Sequence, residues 1–486
     1  MPSPTFIDYG SLAPSPKTTS GHAAAETPTD AKSPDGSGGL VNFWGISPFL
    51  QGLKLVFLGN PGERPWLNVL LALAPVAIAL KATNASSLSQ FIFSILSMLP
   101  LAERLGFCTE ELAEHVNDTF AGLMNASMGN APELIIAIIA LFNNEIRVVQ
   151  LSLLGSILSN LLLVLGTSFF LGGLYFHEQS FSVVLQPASV AMLFMGVLAI
   201  GLPVSLKSTC TEASGSSDAL SVSRISSVFL LAAYLCFIVF ELKTHGDLFE
   251  DDDESDDEEK AMVEDGDAGE KTTDSDSNAV VADGAAAGKE EAPLAPNAST
   301  PPPLRPHAIP HENVHLSLWS SILWLSAITA LIAVISEILV TSVEGFSASS
   351  GLTAAFTSTI LLPVAGNAAE HASAVMFATK NRLNVSLGVA VGSSIQILVF
   401  VVPLLVILGW IGNVPLDLSW GGFELTAIAT TVIISAFLLV FGKSYWLNGV
   451  ILILSYAIIA TAFGFHREEV AEYTCVYGAV ANATAR

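Results

Sequence analysis

The stretch Gly129-Asn130-Ala131-Pro132-Glu133 recurs 237 residues later as Gly366-Asn367-Ala368-Ala369-Glu370. A second pair of similar segments, Gly155-Ser156-Ile157-Leu158-Ser159 and Gly392-Ser393-Ser394-Ile395-Gln396, is separated by the same 237 residues. One short match arises easily by chance, but two matches in the same register rarely do. The sequence therefore predicts two halves that share a fold.

Both glutamates of the repeated motif lie in apolar sequence, since Glu133 precedes Leu134-Ile135-Ile136 and Glu370 precedes Ala374-Val375-Met376-Phe377 by a few residues. A carboxylate at the centre of a membrane span costs about 2.5–3.5 kcal/mol on insertion scales. Retaining two at equivalent positions favours a functional role over a snorkelling or helix-pairing role. Glycine weakens a helix and Pro132 removes an amide donor, so we predict broken helices whose freed carbonyls face a cation.

The composition indicates a membrane protein. Of 486 residues, 51% are hydrophobic and 13% are charged, and the mean hydropathy is +0.60. A soluble domain carries about 25% charged residues. We predict about eleven spans, because that many apolar segments approach the length needed to cross a hydrocarbon core of about 30 Å. They lie near residues 66–82, 88–104, 119–142, 147–173, 183–204, 222–242, 316–340, 351–379, 385–411, 422–442 and 445–465.

The predicted fold is an all-α membrane protein with one extra N-terminal span and two five-helix repeats. Five is an odd number, so the repeats are expected to have inverted orientations, as in many secondary transporters. The predicted regions are a disordered tail (1–40), an interfacial helix (41–65), the extra span (66–87), the first repeat (88–242), an acidic and Pro/Ala-rich disordered linker (243–315), the second repeat (316–466) and a C-terminal tail (467–486).

The charge distribution bears on partners and orientation. Much of the net charge of −25 lies in residues 247–276, within the linker. The 19 basic residues are unclustered, so we do not expect nucleic acid as a partner. The apolar segments make a lipid bilayer the expected surroundings. A weak positive-inside bias favours a cytosolic N-terminus and a cytosolic linker.

Calcium prefers about six to eight hard oxygen ligands, which carboxylates, amides, hydroxyls and backbone carbonyls supply. We therefore predict a site for Ca²⁺ and H⁺ as transported substrates, with no resident cofactor. Its residues are Gly129, Asn130, Glu133, Ser156, Gly366, Asn367, Glu370, Ser393 and Gln396.

Three further residues are candidates for proton relay or gating: Glu103, Glu337 and His371. For Glu103, an ion pair with Arg104 is an equal alternative. For His371, a role in helix packing is an equal alternative. The acidic cluster that begins at Glu110 is expected to be a solvated loop face.

The motifs also carry a family resemblance. Four segments resemble the cation/proton exchanger family of the calcium/cation antiporters. They are Pro100 to Gly106, the Gly129-Asn130 motif with Glu133, Arg147 to Asn160, and Gly366 to His371. The resemblance covers about 50–242 and 316–466. It implies Ca²⁺ export from the cytosol into the vacuole, driven by protons, by a protein that is not an enzyme.

Alternatives to this interpretation are a Na⁺-coupled Ca²⁺ exchanger and, less favoured, a divalent-cation channel. Sodium-coupled relatives tend to carry hydroxyl residues where Asn130 and Asn367 stand, which favours protons. The preference between Ca²⁺ and Mn²⁺, the proton stoichiometry and the oligomeric state are not readable from the sequence.

Overall fold

The computed structural model describes residues 67–116, 124, 128–183, 186–208, 214–244 and 316–466. Four predicted regions lie outside these ranges: the N-terminal tail, the interfacial helix, the C-terminal tail, and the linker apart from residues 243 and 244. The described chain is almost entirely α-helical.

The first half begins with a 3₁₀ helix that leads into a longer series of α-helices. Its elements are the 3₁₀ helix Leu67–Ala72, α1 (Leu73–Ala82), α2 (Ser87–Ala113), α3 (Ala131–Phe142), α4 (Ile146–Tyr175), β1 (Gln179–Ser180), α5 (Gln186–Ser208) and α6 (Ser214–Val239, followed by a π turn at Phe240–Thr244).

The second half has a similar series. Its elements are α7 (Leu318–Ser350), α8 (Ala354–Gly366), α9 (Ala368–Thr379), α10 (Leu383–Ile411), α11 (Gly422–Leu439), β2 (Lys443–Ser444) and α12 (Trp446–Phe465). The two short strands pair antiparallel, with Gln179 opposite Ser444.

Eight of the described helices are long and apolar enough to cross a membrane: α2, α4, α5, α6, α7, α10, α11 and α12. Helices α1, α3 and α8 are apolar but shorter. The class predicted from the sequence, an all-α membrane protein, therefore agrees with the structure.

Helix α4 lies at the centre of the molecule. Of its most apolar 18-residue window, 94% is buried within the protein, compared with 17% for α6. A helix that is apolar on every side is expected in such an interior position. Helix α4 contains a π-helical segment at Ser159–Val164, and α10 contains two, at Gly388–Gly392 and Gln396–Val401.

Helix boundaries recur at the same 237-residue offset as the sequence motifs. Helices α3 and α9 are both 12 residues long, and both their first and last residues are separated by 237 positions. Equivalent pairs at this offset are the ends of α2 and α7 (Ala113, Ser350), the starts of α4 and α10 (Ile146, Leu383), two π segments (Ser159–Val164, Gln396–Val401) and two left-handed asparagines (Asn144, Asn381).

Helices α2 and α7 run antiparallel along each other. Phe91, near the start of α2, stacks on Phe346, near the end of α7, with ring centroids 4.1 Å apart. At the other end, the Leu316 N–H just before α7 donates to Glu111 Oε2 at 2.8 Å.

This second contact corrects the prediction of a solvated loop at Glu111, whereas Glu110 and Glu114 are exposed as predicted. Helix α2 continues to Ala113 rather than ending near 104, and the Glu111 side chain is buried. The carboxylate satisfies a backbone amide that leads into α7, a group that is costly to bury without a partner. Glu111 therefore joins the two halves and is not part of a solvated loop.

We expect Gly449→Ala to destabilise the packing of α12 on α4. A Cβ at Gly449 would collide with backbone atoms of Gly166 and Phe170. Overpacking of this kind typically costs about 1–3 kcal/mol, so the thermal unfolding midpoint in detergent should fall. Gly106→Ala is the matched control, because a Cβ there meets nothing within 4 Å. Equal midpoints for the two variants would contradict this account of the packing.

Candidate cation-binding site

The two motif glutamates each lie in the first turn of a short helix. Helix α3 begins directly after Asn130 and has Glu133 in its first turn. Helix α9 begins directly after Asn367 and has Glu370 in its first turn. The positive ends of both helix dipoles are therefore close to the motif residues, where they favour negative charge.

The helix break at the second motif is limited to one residue. Asn367 separates α8 from α9, yet its N–H donates to Pro363 O at 2.8 Å and its carbonyl accepts the His371 N–H at 2.9 Å. In the first motif, Asn130 O similarly accepts the Leu134 N–H at 3.0 Å. The unwound carbonyls that the sequence led us to expect are thus bonded within the helices at both asparagines, and the candidate ligands are mainly side chains.

The structure brings the two carboxyl groups to the contact between the two halves of the chain, because each lies against residues of the other half. Glu133 is buried and lies against Gly366, where an added Cβ would be 2.7 Å from Glu133 Oε1. Glu370 is held by neutral donors, with Ser393 Oγ 3.0 Å from Oε1 and Asn160 Nδ2 3.1 Å from Oε2.

Two amide pairs surround these carboxyl groups. Asn130 Nδ2 donates to Gln396 Oε1 at 2.7 Å, and Asn367 Nδ2 donates to Asn160 Oδ1 at 3.1 Å. All four side chains are buried. Within the described part of the chain, Asn130 Oδ1 and Asn367 Oδ1 have no hydrogen-bond partner. Buried orphaned amide oxygens are costly, and they are the hard ligands that a divalent cation takes.

The two glutamates face different spaces. Glu370 lines a cavity of 780 Å³ together with Gly129, Ser393 and Gln396. The same cavity reaches Glu241 at the end of α6. Glu133 instead lines a separate space of 10 Å³, with Ser156 and Gly366 on its wall. One carboxyl group therefore lines a large chamber, and the other is buried beside a small space.

The candidates for relay or gating have three different positions. Glu103 forms the predicted ion pair with the buried Arg104 at 3.0 Å and also lines the large cavity, while its role in relay or gating stays a prediction. His371 Nε2 is 2.8 Å from Thr167 Oγ1. Glu337 is exposed on α7, where its neighbours Ser336 and Ile338 are buried, so the structure does not bring it to the site.

Asn160 is the site residue that sequence reasoning missed. It follows Ser159, the repeat equivalent of Gln396, and itself aligns with the apolar Ile397. A comparison of the repeats therefore does not select it. Among the described residues, no three His, Cys, Asp or Glu side chains are grouped to hold a metal. A cation here would take most of its ligands from amides and hydroxyls.

A helical membrane fold in which two repeated motifs bring acidic side chains to the contact between its halves is typical of a cation transporter. Residues 86–243 and 320–465 match the family model described as sodium/calcium exchanger protein. The chain belongs to this family, and relatives about 40% identical to it place it within the family among the vacuolar cation/proton exchangers. It is a transporter and not an enzyme.

Known relatives match over most of their length. Vacuolar cation/proton exchanger 2 of Arabidopsis thaliana is 40% identical over 422 residues, which cover 86% of this chain and 84% of the relative. Vacuolar cation/proton exchanger 3 of Oryza sativa subsp. japonica is 38% identical, covering 88% and 92%. The solved structure of the Ca²⁺/H⁺ antiporter protein YfkE has a TM-score of 0.61 at 26% identity and covers 83% of this chain and 100% of that one.

We expect Gly366→Ala to weaken cation binding. The new methyl group would displace the Glu133 carboxyl oxygen that lies 2.7 Å from its position. Displacing a ligand's support typically costs about tenfold or more in metal affinity, so the half-saturating Ca²⁺ concentration for uptake into vesicles should rise by that factor. Gly422→Ala is the control, because a Cβ there meets nothing within 4 Å. An unchanged half-saturating concentration in Gly366→Ala would contradict the close approach of the two halves.

Proposed function

We propose that this chain is a secondary active antiporter that exchanges cytosolic Ca²⁺ for H⁺ across the vacuolar membrane. The observation that carries the proposal is that each motif glutamate lies against the other half of the chain, Glu133 against Gly366 and Glu370 against Asn160, beside two orphaned amide oxygens. The names of the relatives support it, because they describe cation/proton exchange and, for the solved structure, Ca²⁺/H⁺ antiport.

Competition at one site explains how the two fluxes are coupled. Carboxylate ligands bind a metal in their deprotonated form, so Ca²⁺ and protons exclude each other from Glu133 and Glu370. The site then carries either a divalent cation or protons as it alternates between the two membrane faces.

The driving force sets a lower bound on the number of protons. A Ca²⁺ gradient on the order of 10⁴ costs roughly 5.5 kcal/mol, because each tenfold step is worth about 1.4. One proton falling through about two pH units returns roughly 2.7 kcal/mol. At least two protons per Ca²⁺ are therefore needed, and two acidic side chains match that number.

We also propose that the chain has about eleven spans, built from one extra N-terminal span and two inverted five-helix repeats. The recurrence of helix boundaries at the 237-residue offset supports the repeats. The inversion is supported by the antiparallel packing of α2 against α7, whose ends are equivalent at that offset.

The position of the cavity fits a cytosol-facing state. The large cavity reaches the end of α6, after which the chain enters the acidic linker. We place the linker and the N-terminus in the cytosol, on the basis of the weak positive-inside bias. Glu370 is then open to the cytosol, and the buried Glu133 would become accessible from the lumen.

We expect Glu133→Gln and Glu370→Gln each to lower pH-driven Ca²⁺ uptake by about 10–100-fold, because a neutral amide cannot exchange a proton for the cation. Uptake of ⁴⁵Ca²⁺ into sealed vesicles with an acidic lumen measures this effect. Glu344→Gln is the matched control, because Glu344 is exposed on α7.

Two further conditions separate the alternatives in the same vesicles. A protonophore should abolish the uptake, and replacing Na⁺ by choline should not change it. Uptake that requires Na⁺ would favour the sodium-coupled exchanger, and uptake without any gradient would favour a channel. Full activity in both glutamine variants would overturn the site assignment.

A further inference from the structure

Asn160 connects both halves of the candidate site through a single buried amide. It lies in the π segment of α4 and is fully buried. Its Nδ2 donates to Glu370 Oε2 at 3.1 Å, and its Oδ1 accepts from Asn367 Nδ2, also at 3.1 Å. One side chain of the first half thus contacts two motif residues of the second.

The chemistry of these contacts fixes the direction of both amides. Ca²⁺ binding requires the ionised form of Glu370, which accepts hydrogen bonds and cannot donate them, so in that state Asn160 turns its NH₂ group to Glu370. Its oxygen then faces Asn367, which must present its own NH₂ group. Asn367 Nδ2 also donates to the Ser156 carbonyl at 3.3 Å. The Asn367 oxygen is therefore turned away from both partners, and it is the atom left without a hydrogen bond in the described structure.

The amide pair formed by the other motif asparagine, Asn130, lacks this control. Asn130 donates to Gln396 Oε1, but Gln396 Nε2 is buried with no partner among the described residues. Among the described residues no carboxylate is bonded to the Gln396 amide, so no acidic group fixes the direction of this pair. The two motif asparagines are therefore not equivalent, although their sequences match.

We propose that Asn160 is a positioning residue for cation binding, which fixes the Asn367 oxygen and the Glu370 carboxylate in the orientation that Ca²⁺ requires. The inference rests on the proposed function and deepens it. A preorganised ligand binds more tightly because it need not be oriented when the ion arrives. Asn160 acts through Asn367 and Glu370 and need not touch the ion itself.

The test is a double-mutant cycle on Ca²⁺ uptake driven by an imposed pH gradient. We expect Asn160→Ala to raise the half-saturating Ca²⁺ concentration about tenfold, typical for loss of a residue that supports a metal ligand. The maximal rate per transporter should change by less than about twofold. Because Asn160 acts through Asn367, the change in Asn160→Ala/Asn367→Ala should fall well short of the product of the two single changes.

Controls separate positioning from a general loss of structure. Ser168→Ala removes another buried polar group from α4, and its half-saturating concentration should equal that of the wild type. Asn160→Ser retains a short donor and acceptor and should lie between wild type and Asn160→Ala. If Asn160→Ala is absent from the vesicles, the cycle is completed with Asn160→Ser.

The outcomes are distinct. An unchanged half-saturating concentration in the Asn160 variants, or single changes that multiply fully in the double variant, overturns the positioning role while the antiporter stands. A fall in maximal rate alone also overturns it. Wild-type vesicles that take up no Ca²⁺ under a pH gradient overturn the proposed function itself.

Discussion

The structure depends on two carboxyl groups that meet the opposite half of the chain at the centre of an apolar protein. The partners that hold Glu370 are a hydroxyl and an amide, and both are neutral. Like charges in a medium of low dielectric repel strongly, so under the proposed function two ionised carboxylates need a partner that offsets their charge. A divalent cation satisfies that condition, and so do protons.

The surrounding helices make this arrangement possible. Helix α4 is buried along almost its whole length, and it supplies Ser156 and Asn160 from the first half to the second. Its π segment and the later one in α10 begin at equivalent residues, Ser159 and Gln396. Such widened turns are frequent at functional sites, and here the partner amide of each motif asparagine lies in one of them.

Much of the architecture could be predicted because the chain repeats itself. The offset of 237 residues selected Glu133 and Glu370, and it also separates the bounds of α3 and α9. Asn160 could not be found in this way, because Ile397 stands at its equivalent position. The exposure of Glu337 and the contact of Glu111 with Leu316 depend on how helices rotate and pack, which apolar composition does not encode. The site assignment itself stays a prediction until transport is measured.

The antiparallel packing of α2 against α7 bears on how such a protein can arise. It is the arrangement expected of two copies of a half-length chain related by a two-fold axis. A half-length ancestor that inserted into the bilayer in both orientations would have formed this dimer before any gene fusion. The difference between Asn160 and Ile397 would then date from after duplication, when one copy was free to diverge.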